Sequence, residues 1–301
     1  MIDFVQLIII GTIVGSIIGL GAMGLTLSYG VMKFANFAHG DSMALGMFLA
    51  FIVVGDLGWA GSDIGRLSFG WGMIPALGLA MIGVALLNIS ADRTIYRRLR
   101  RRGAGIITMA IASLGLAIIV RAVIQIVWGS APLRYSTGIN PALTLPGDLK
   151  AKPDQFFIVG LTLVVAFGLY LLLYRTRLGK AMRATSDNPE LAEIAGIDTE
   201  RIRMSTWAVA GALTALAGVM FGIQAQLQFN AGFEFLLPMF AATILGGIGN
   251  PWGALTGGLI VGITQETSTE WIDAGLKPGV PFVLLIGILL IRPRGIFGST
   301  V

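Results

Sequence analysis

The chain has 301 residues, of which 55% are hydrophobic and only 12% charged, whereas soluble domains carry about 25% charged residues. The net charge of +5 comes from Lys and Arg lying between apolar runs, which argues for topology anchors at a lipid surface and against a nucleic-acid interface. With no Cys and one His, disulfides, thiolate chemistry and Cys-based or multi-His metal sites are excluded within this sequence.

Apolar runs of roughly 20 residues, the length of a membrane-spanning helix, recur along the chain. The first covers about 5–27. No Lys or Arg precedes it and it has no clear small-residue cleavage site, so it reads as a retained helix and not a signal peptide. Gly11, Gly15 and Gly19 recur on one face of it, at the step that lets membrane helices approach closely. A polar run follows, with Tyr29, Asn36, His39, Asp41 and Ser42 breaking the apolar pattern. An ionisable residue inside a membrane helix costs about 2.5–3.5 kcal/mol on insertion scales. Asp41 at membrane depth therefore needs a partner or a water-filled cavity, and Gly40 beside it leaves backbone open to hydrogen bonding. A zwitterionic amino acid needs donors and acceptors together. Tyr29, Asn36, His39, Gly40, Asp41 and Ser42 are thus candidates to line a translocation path. The same residues also suit a cytoplasmic turn or a helix-capping network, and His39 alone suits a hydrogen-bonded structural role.

Eight further apolar segments follow at about 41–55, 72–90, 105–128, 155–174, 205–223, 233–246, 254–268 and 279–292. The second, seventh, eighth and last of the nine are short, as broken or re-entrant helices are. The expected fold is all-α: one membrane domain over 1–301, a polytopic transmembrane helical bundle of about 8–10 segments including short or broken helices. Arg121, inside the fourth segment, is expected to snorkel towards its outer end. Gln224, Gln226 and Gln228 suit either a vestibule or a polar external connection. Gly249, Gly253 and Gly257 repeat the four-residue step, and Gly258 pairs with Gly262.

Arg93, Arg97, Arg98, Arg100, Arg101 and Arg102 form one basic cluster. Arg175, Arg177, Lys180, Arg183, Arg201 and Arg203 form a second, and Arg292 and Arg294 close the chain. The positive-inside rule makes all three cytoplasmic. The connection near 56–71, with Arg66 against Asp56 and Asp63, reads as external. That near 129–154, with Arg134, Lys150 and Lys152, carries a weaker basic bias. Nine crossings with the N-terminus outside and the C-terminus inside satisfy this pattern.

The loop 175–204 holds the most informative local signal. Asn188 suits an N-cap, Pro189 the first helical position, Glu190 and Glu193 the positive helix end, and Gly196 the stop. Leu191, Ile194 and Ala195 give this two-turn helix a small apolar face. So short a helix needs a surface to lie on. That surface is either its own bundle or the groove of a cytoplasmic partner, the arrangement of a coupling helix.

Four stretches carry a resemblance: GLTLSYGVMKFANFAHGDSMALG, GKAMRATSDNPELAEIAGID followed by ALTALAGVMFG, LGGIGNPWGALTGGLIVG and RPRGIFG. In this order they resemble the branched-chain amino-acid ABC importer permease family. The resemblance implies a permease in the bacterial inner membrane for branched-chain or other neutral amino acids, with urea or a short amide as the alternative cargo. It implies a second homologous permease in a heterodimer, two cytoplasmic ATPase subunits and an extracytoplasmic solute-binding protein. It makes Pro189, Glu190, Leu191, Ala192, Glu193, Ile194, Ala195 and Gly196 the coupling helix. No Gly-x-x-x-x-Gly-Lys-Ser/Thr loop is present, so ATP and Mg are expected in the partner subunits and no cofactor in this chain. No enzyme constellation emerges. An ion-coupled secondary transporter is the rival reading, and it has no need of the helix at 189–195.

Overall fold

The computed structural model describes residues 2–136, 142–145, 149–292 and 295–298; Arg294, one of the residues used above to orient the chain, lies outside them. Its long elements are helices: α1 (Ile2–Met32), α2 (Ala38–Phe51), α3 (Met73–Ala91), α4 (Arg97–Arg101), α5 (Ile106–Trp128), α6 (Pro153–Arg175), α7 (Arg177–Asp187), α8 (Pro189–Ile194), α9 (Thr199–Gln224), α10 (Ala231–Gly246), α11 (Pro251–Thr267) and α12 (Val280–Ile291). Two strands, β1 (Leu143–Leu145) and β2 (Leu149–Ala151), pair antiparallel between α5 and α6. All nine expected apolar segments are helical, so the fold is an all-α polytopic bundle. Among the described residues seven helices are long and apolar enough to cross a membrane. The second and last segments reach that length because a π-helical turn extends α2 to Asp56 and a 3-10 stretch from Ala274 precedes α12. The seventh and eighth remain short, α10 with 16 residues and α11 with 17.

α1, α2 and α9 form the centre, and α12 lies at the periphery. Small residues fix the central contacts, because helices in lipid gain from close backbone packing where no hydrophobic effect drives them together. The Gly11, Gly15 and Gly19 face of α1 meets α11. A Cβ on Gly15 would sit 2.8 Å from the Leu259 Cα, and one on Gly11 would sit 2.6 Å from the Ile263 Cα. The glycines of α11 divide their work: Gly258 and Gly262 abut Gly19 and Gly15 of α1, while Gly253 and Gly257 abut Gly246 and Ala242 of α10. Gly249 does not belong to this stripe. It sits in the turn before α11 with φ +90°, a conformation that only glycine adopts without strain.

The two faces of the bundle are tied off separately. Gln6 at the start of α1 exchanges two hydrogen bonds with the Lys150 backbone, 2.8 and 2.9 Å. The N-terminus therefore shares a side with the connection between α5 and α6. Near the other end of α1, the Gly30 carbonyl accepts from the Ser186 hydroxyl at 2.9 Å. The Ile296 N–H donates to the Leu245 carbonyl at 2.8 Å, bringing the C-terminal stretch to the end of α10.

Gly258→Val is expected to lower the midpoint of thermal unfolding in detergent and the folded yield. Overpacking costs about 1–3 kcal/mol, and the obstacle here is backbone. Gly168→Ala, with open space around its Cβ position, is expected to leave both unchanged.

Candidate functional site

The polar run between the first two apolar segments is helical for most of its length and lies inside the bundle. Tyr29 belongs to α1, half-buried near its end, and His39, Gly40, Asp41 and Ser42 form the first turns of α2. His39 Nε2 donates to the Gly21 carbonyl at 2.8 Å. Gly21 lies eleven residues before the end of α1, or about 16 Å at about 1.5 Å per residue. The short link 33–37 therefore turns back into the protein and starts α2 deep within it. Lys33 accomplishes the reversal with φ +60°, in the left-handed region. Gly24 makes room for the imidazole: a Cβ there would lie 3.2 Å from His39 Cε1.

Each buried member of the run is occupied. The Asn36 side-chain oxygen accepts from the Ala38 N–H at 3.1 Å, in the turn that leads into α2. Ser42 donates to the Ala38 carbonyl at 2.8 Å. Gly40 crosses Gly232 of α10 so closely that a side chain on either would strike the other's backbone. Asp41 has no exposed surface, and Arg121 donates to it twice, Nε to Oδ1 at 2.8 Å and Nη2 to Oδ2 at 3.0 Å. This corrects the expectation that Arg121 snorkels outwards. Helical side chains lean towards the N-terminus of their helix, so Arg121 reaches back along α5 to the first turns of α2. Its guanidinium also lies 4.5 Å from the ring centre of Phe233 on α10, a cation–π contact.

On the side of the Ser186 contact the chain forms two helices where one was expected. Thr176 caps α7 by accepting from the Gly179 N–H at 3.0 Å. Asn188 then caps α8 by accepting from the Leu191 N–H at 3.0 Å, with Pro189 at the first position. At the other end the Ile197 N–H reaches the Ala192 carbonyl and the Gly196 N–H the Glu193 carbonyl, both at 2.9 Å, with Gly196 at φ +84°. This pairing closes the helix in a Schellman motif. Ala192 is buried, whereas Leu191 is 62% and Ile194 84% exposed. Glu190, Glu193 and Ala195 are also exposed. The apolar surface of α8 thus turns away from its own bundle. Glu193 accepts from the Thr199 hydroxyl and so ties α8 to the first residue of α9.

The start of α9 meets the basic cluster in an ion network that charge counting alone did not reveal. Asp92, fully buried, accepts from Arg100 at 2.7 and 3.2 Å and from the Trp207 indole at 3.1 Å. Glu200 pairs with Arg97 at 3.0 Å and Arg203 at 2.7 Å. Tyr96 stacks on Trp207 with ring centres 5.5 Å apart, and Phe34 of the 33–37 link packs on Tyr96 at 5.1 Å. Packed contacts therefore run from α8 through α9 to the turn that enters α2.

On the N-terminal side, Gln224 and Gln226 line a cavity of about 300 Å³ with Arg134, Lys152 and Asp154. Tyr135 closes its floor by donating to the Met47 carbonyl at 2.7 Å, and burial pushes the pKa of its hydroxyl well above the usual tyrosine value. Sequence reasoning missed Tyr135; the signal was the one aromatic residue between Trp128 and Phe156.

Comparison with known proteins adds an independent finding. Residues 7–291 match the family described as "Branched-chain amino acid transport system / permease component". The high-affinity branched-chain amino acid transport system permease protein BraD of Pseudomonas aeruginosa is 32% identical, covering 98% of this chain and 96% of its own. LivH of Escherichia coli, described in the same words, is 30% identical over 98% and 96%. A probable LivH of Methanocaldococcus jannaschii is 31% identical over 97% and 92%.

Asp41→Ala is expected to destabilise the protein by about 1.5–3 kcal/mol, because the partly exposed Arg121 loses its two charge-assisted hydrogen bonds. Adding Arg121→Leu should recover most of that loss. Thermal unfolding of the two variants and the Arg121→Leu single variant, as a double-mutant cycle, checks this.

Proposed function

The chain belongs to the family of permease components of branched-chain amino acid transport systems, and on that premise we propose that it forms part of the transmembrane path of a binding-protein-dependent ABC importer. The cargo in this reading is a branched-chain or other neutral amino acid, the class named for the BraD and LivH relatives. A binding protein delivers it outside, and a second, homologous permease completes the path. Two cytoplasmic ATPase subunits bind ATP with Mg and supply the energy. The protein resides in the bacterial inner membrane, with its N-terminus outside and α7, α8 and the C-terminus in the cytoplasm. Tyr29, half-buried near the end of α1, borders the path, and Asn36, His39, Gly40, Asp41 and Ser42 hold its wall in place from within the bundle.

The exposure of Leu191 and Ile194 on a helix capped at both ends carries this reading. An isolated two-turn helix has little stability of its own. Here the caps, the buried Ala192 and the Glu193–Thr199 contact hold it, so its outward apolar side chains are free to fill a groove in an ATPase. The packed route from α8 through Thr199, Trp207 and Tyr96 to Phe34 gives that docking a path to the start of α2. An autonomous secondary transporter has no use for such a surface.

Leu191→Asp and Ile194→Asp are each expected to lower ATP-dependent leucine uptake by at least about tenfold in a reconstituted complex, the effect of about 1.4 kcal/mol. Exposed positions tolerate substitution within about 0.5 kcal/mol, so unfolding of the isolated permease should be unchanged. Full uptake by both variants would remove α8 as the coupling element.

A further inference from the structure

We infer that Arg121 presents the open edge of its guanidinium to the translocation path and binds the carboxylate of the solute there, an inference that rests on the amino-acid importer reading proposed above. A guanidinium has five N–H donors. Asp41 takes one from Nε and one from Nη2, and among the described residues no other acceptor holds the remaining three. The Arg121 side chain is 26% exposed on the surface of the bundle. It lies seven residues inside the end of α5, about 10 Å, and it reaches further inwards to meet Asp41. Hydrocarbon cannot solvate an exposed cation edge at that depth; protein or a water-filled cavity must face it.

What surrounds Arg121 matches an apolar amino acid. On α5, Leu114, Ala110 and Ile107 precede it by seven, eleven and fourteen residues and share its helix face. These three line an open groove of about 390 Å³, whose far wall includes Tyr29, Ala35 and Phe37. Phe233, 54% exposed, flanks the guanidinium on the other side. A carboxylate held at Arg121 would leave an aliphatic side chain against this surface, with Tyr29 at the end nearest α8. Asp41 is then a positioning residue: it orients the guanidinium and leaves solute binding to the exposed edge.

The absence of cysteine from the sequence permits a direct test. Phe233→Cys and, as a lipid-facing comparator, Ile286→Cys on α12 are made in the assembled complex and treated with a membrane-impermeant, negatively charged methanethiosulfonate. Mass shift of this subunit is the readout. Cysteine at 233 is expected to react, and to be protected by leucine-loaded binding protein with ATP, while cysteine at 286 stays inert. The second arm is the Asp41→Asn, Arg121→Gln double variant, which removes both charges together. It is expected to unfold near the wild-type temperature yet lose about tenfold to hundredfold in leucine imported per ATP hydrolysed, the scale of a lost charge-assisted contact. Unreactive cysteine at 233, or wild-type import by the folded double variant, overturns the inference and makes the pair a structural staple only. If the double variant does not fold, the labelling result decides. A wild-type complex that imports no amino acid while cysteine at 233 still reacts would instead overturn the importer reading.

Discussion

Asp41 is a carboxylate without exposed surface inside a bundle surrounded by lipid, and Arg121 is the group that makes its charge tolerable. Leaving a charge unpaired in such a place costs far more than a surface ion pair returns. The two residues are 80 positions apart, so their contact requires α2 and α5 to lie side by side in one register. That requirement explains the form of the chain before it. α2 must begin deep in the protein, and so the 33–37 link must reverse at Lys33, with Asn36 holding the turn. Gly24 must leave α1 bare enough for His39 to dock on the Gly21 carbonyl. Polar residues that resemble an open ligand site in the sequence are, for the most part, the fittings that hold this re-entry in place.

Close backbone contact sets the rest of the architecture. α1, α10 and α11 touch through glycines on both sides of α11, and in lipid such contacts replace the hydrophobic effect as the source of cohesion. They also restrict motion. Sliding α1 along α11 by one residue would bring side chains to positions where only glycine fits. These three helices therefore interlock, and helices without such glycine contacts are less tightly held. α5 is one of these: most of its large apolar side chains face outwards.

The parts of this structure legible in the sequence are those with local causes. The nine apolar segments follow from hydropathy and length, and α8 follows from Asn188, Pro189 and Gly196, whose roles depend only on neighbours in the chain. The unread parts are those settled by distant partners. The sequence shows Arg121 in an apolar run but not the direction in which it reaches, and that direction distinguishes snorkelling from pairing with Asp41. The Arg97–Arg101 stretch reads as a topology signal, yet Arg97 and Arg100 also engage Glu200, and Arg100 engages Asp92, a network that requires α3 and α9 to be adjacent. α7 is hard to read in the sequence because its cationic residues serve equally as a topology signal, and Thr176, its cap, stands among them. Gly249 fell in step with Gly253 by spacing alone and serves a turn.

The polar and apolar groups left unsatisfied by this chain are as informative as those it satisfies. Most of the ionisable groups within the bundle are matched internally: Asp41 by Arg121, Asp92 by Arg100 and Trp207, Glu266 by Lys277 at 2.6 Å. Other side chains point outwards. Leu191 and Ile194 project from a helix too short to stand alone, and the guanidinium edge of Arg121 emerges at membrane depth beside an exposed Phe233. In the readings proposed above, an ATPase groove would cover the first and the carboxylate of the solute would meet the second. α9 starts beside α8, and its Trp207 stacks on Tyr96, which packs on Phe34 at the entry to α2. In the importer reading proposed above, these packed rings and the ion network beside them would carry a movement of α8 to the helix that holds Asp41 and positions Arg121.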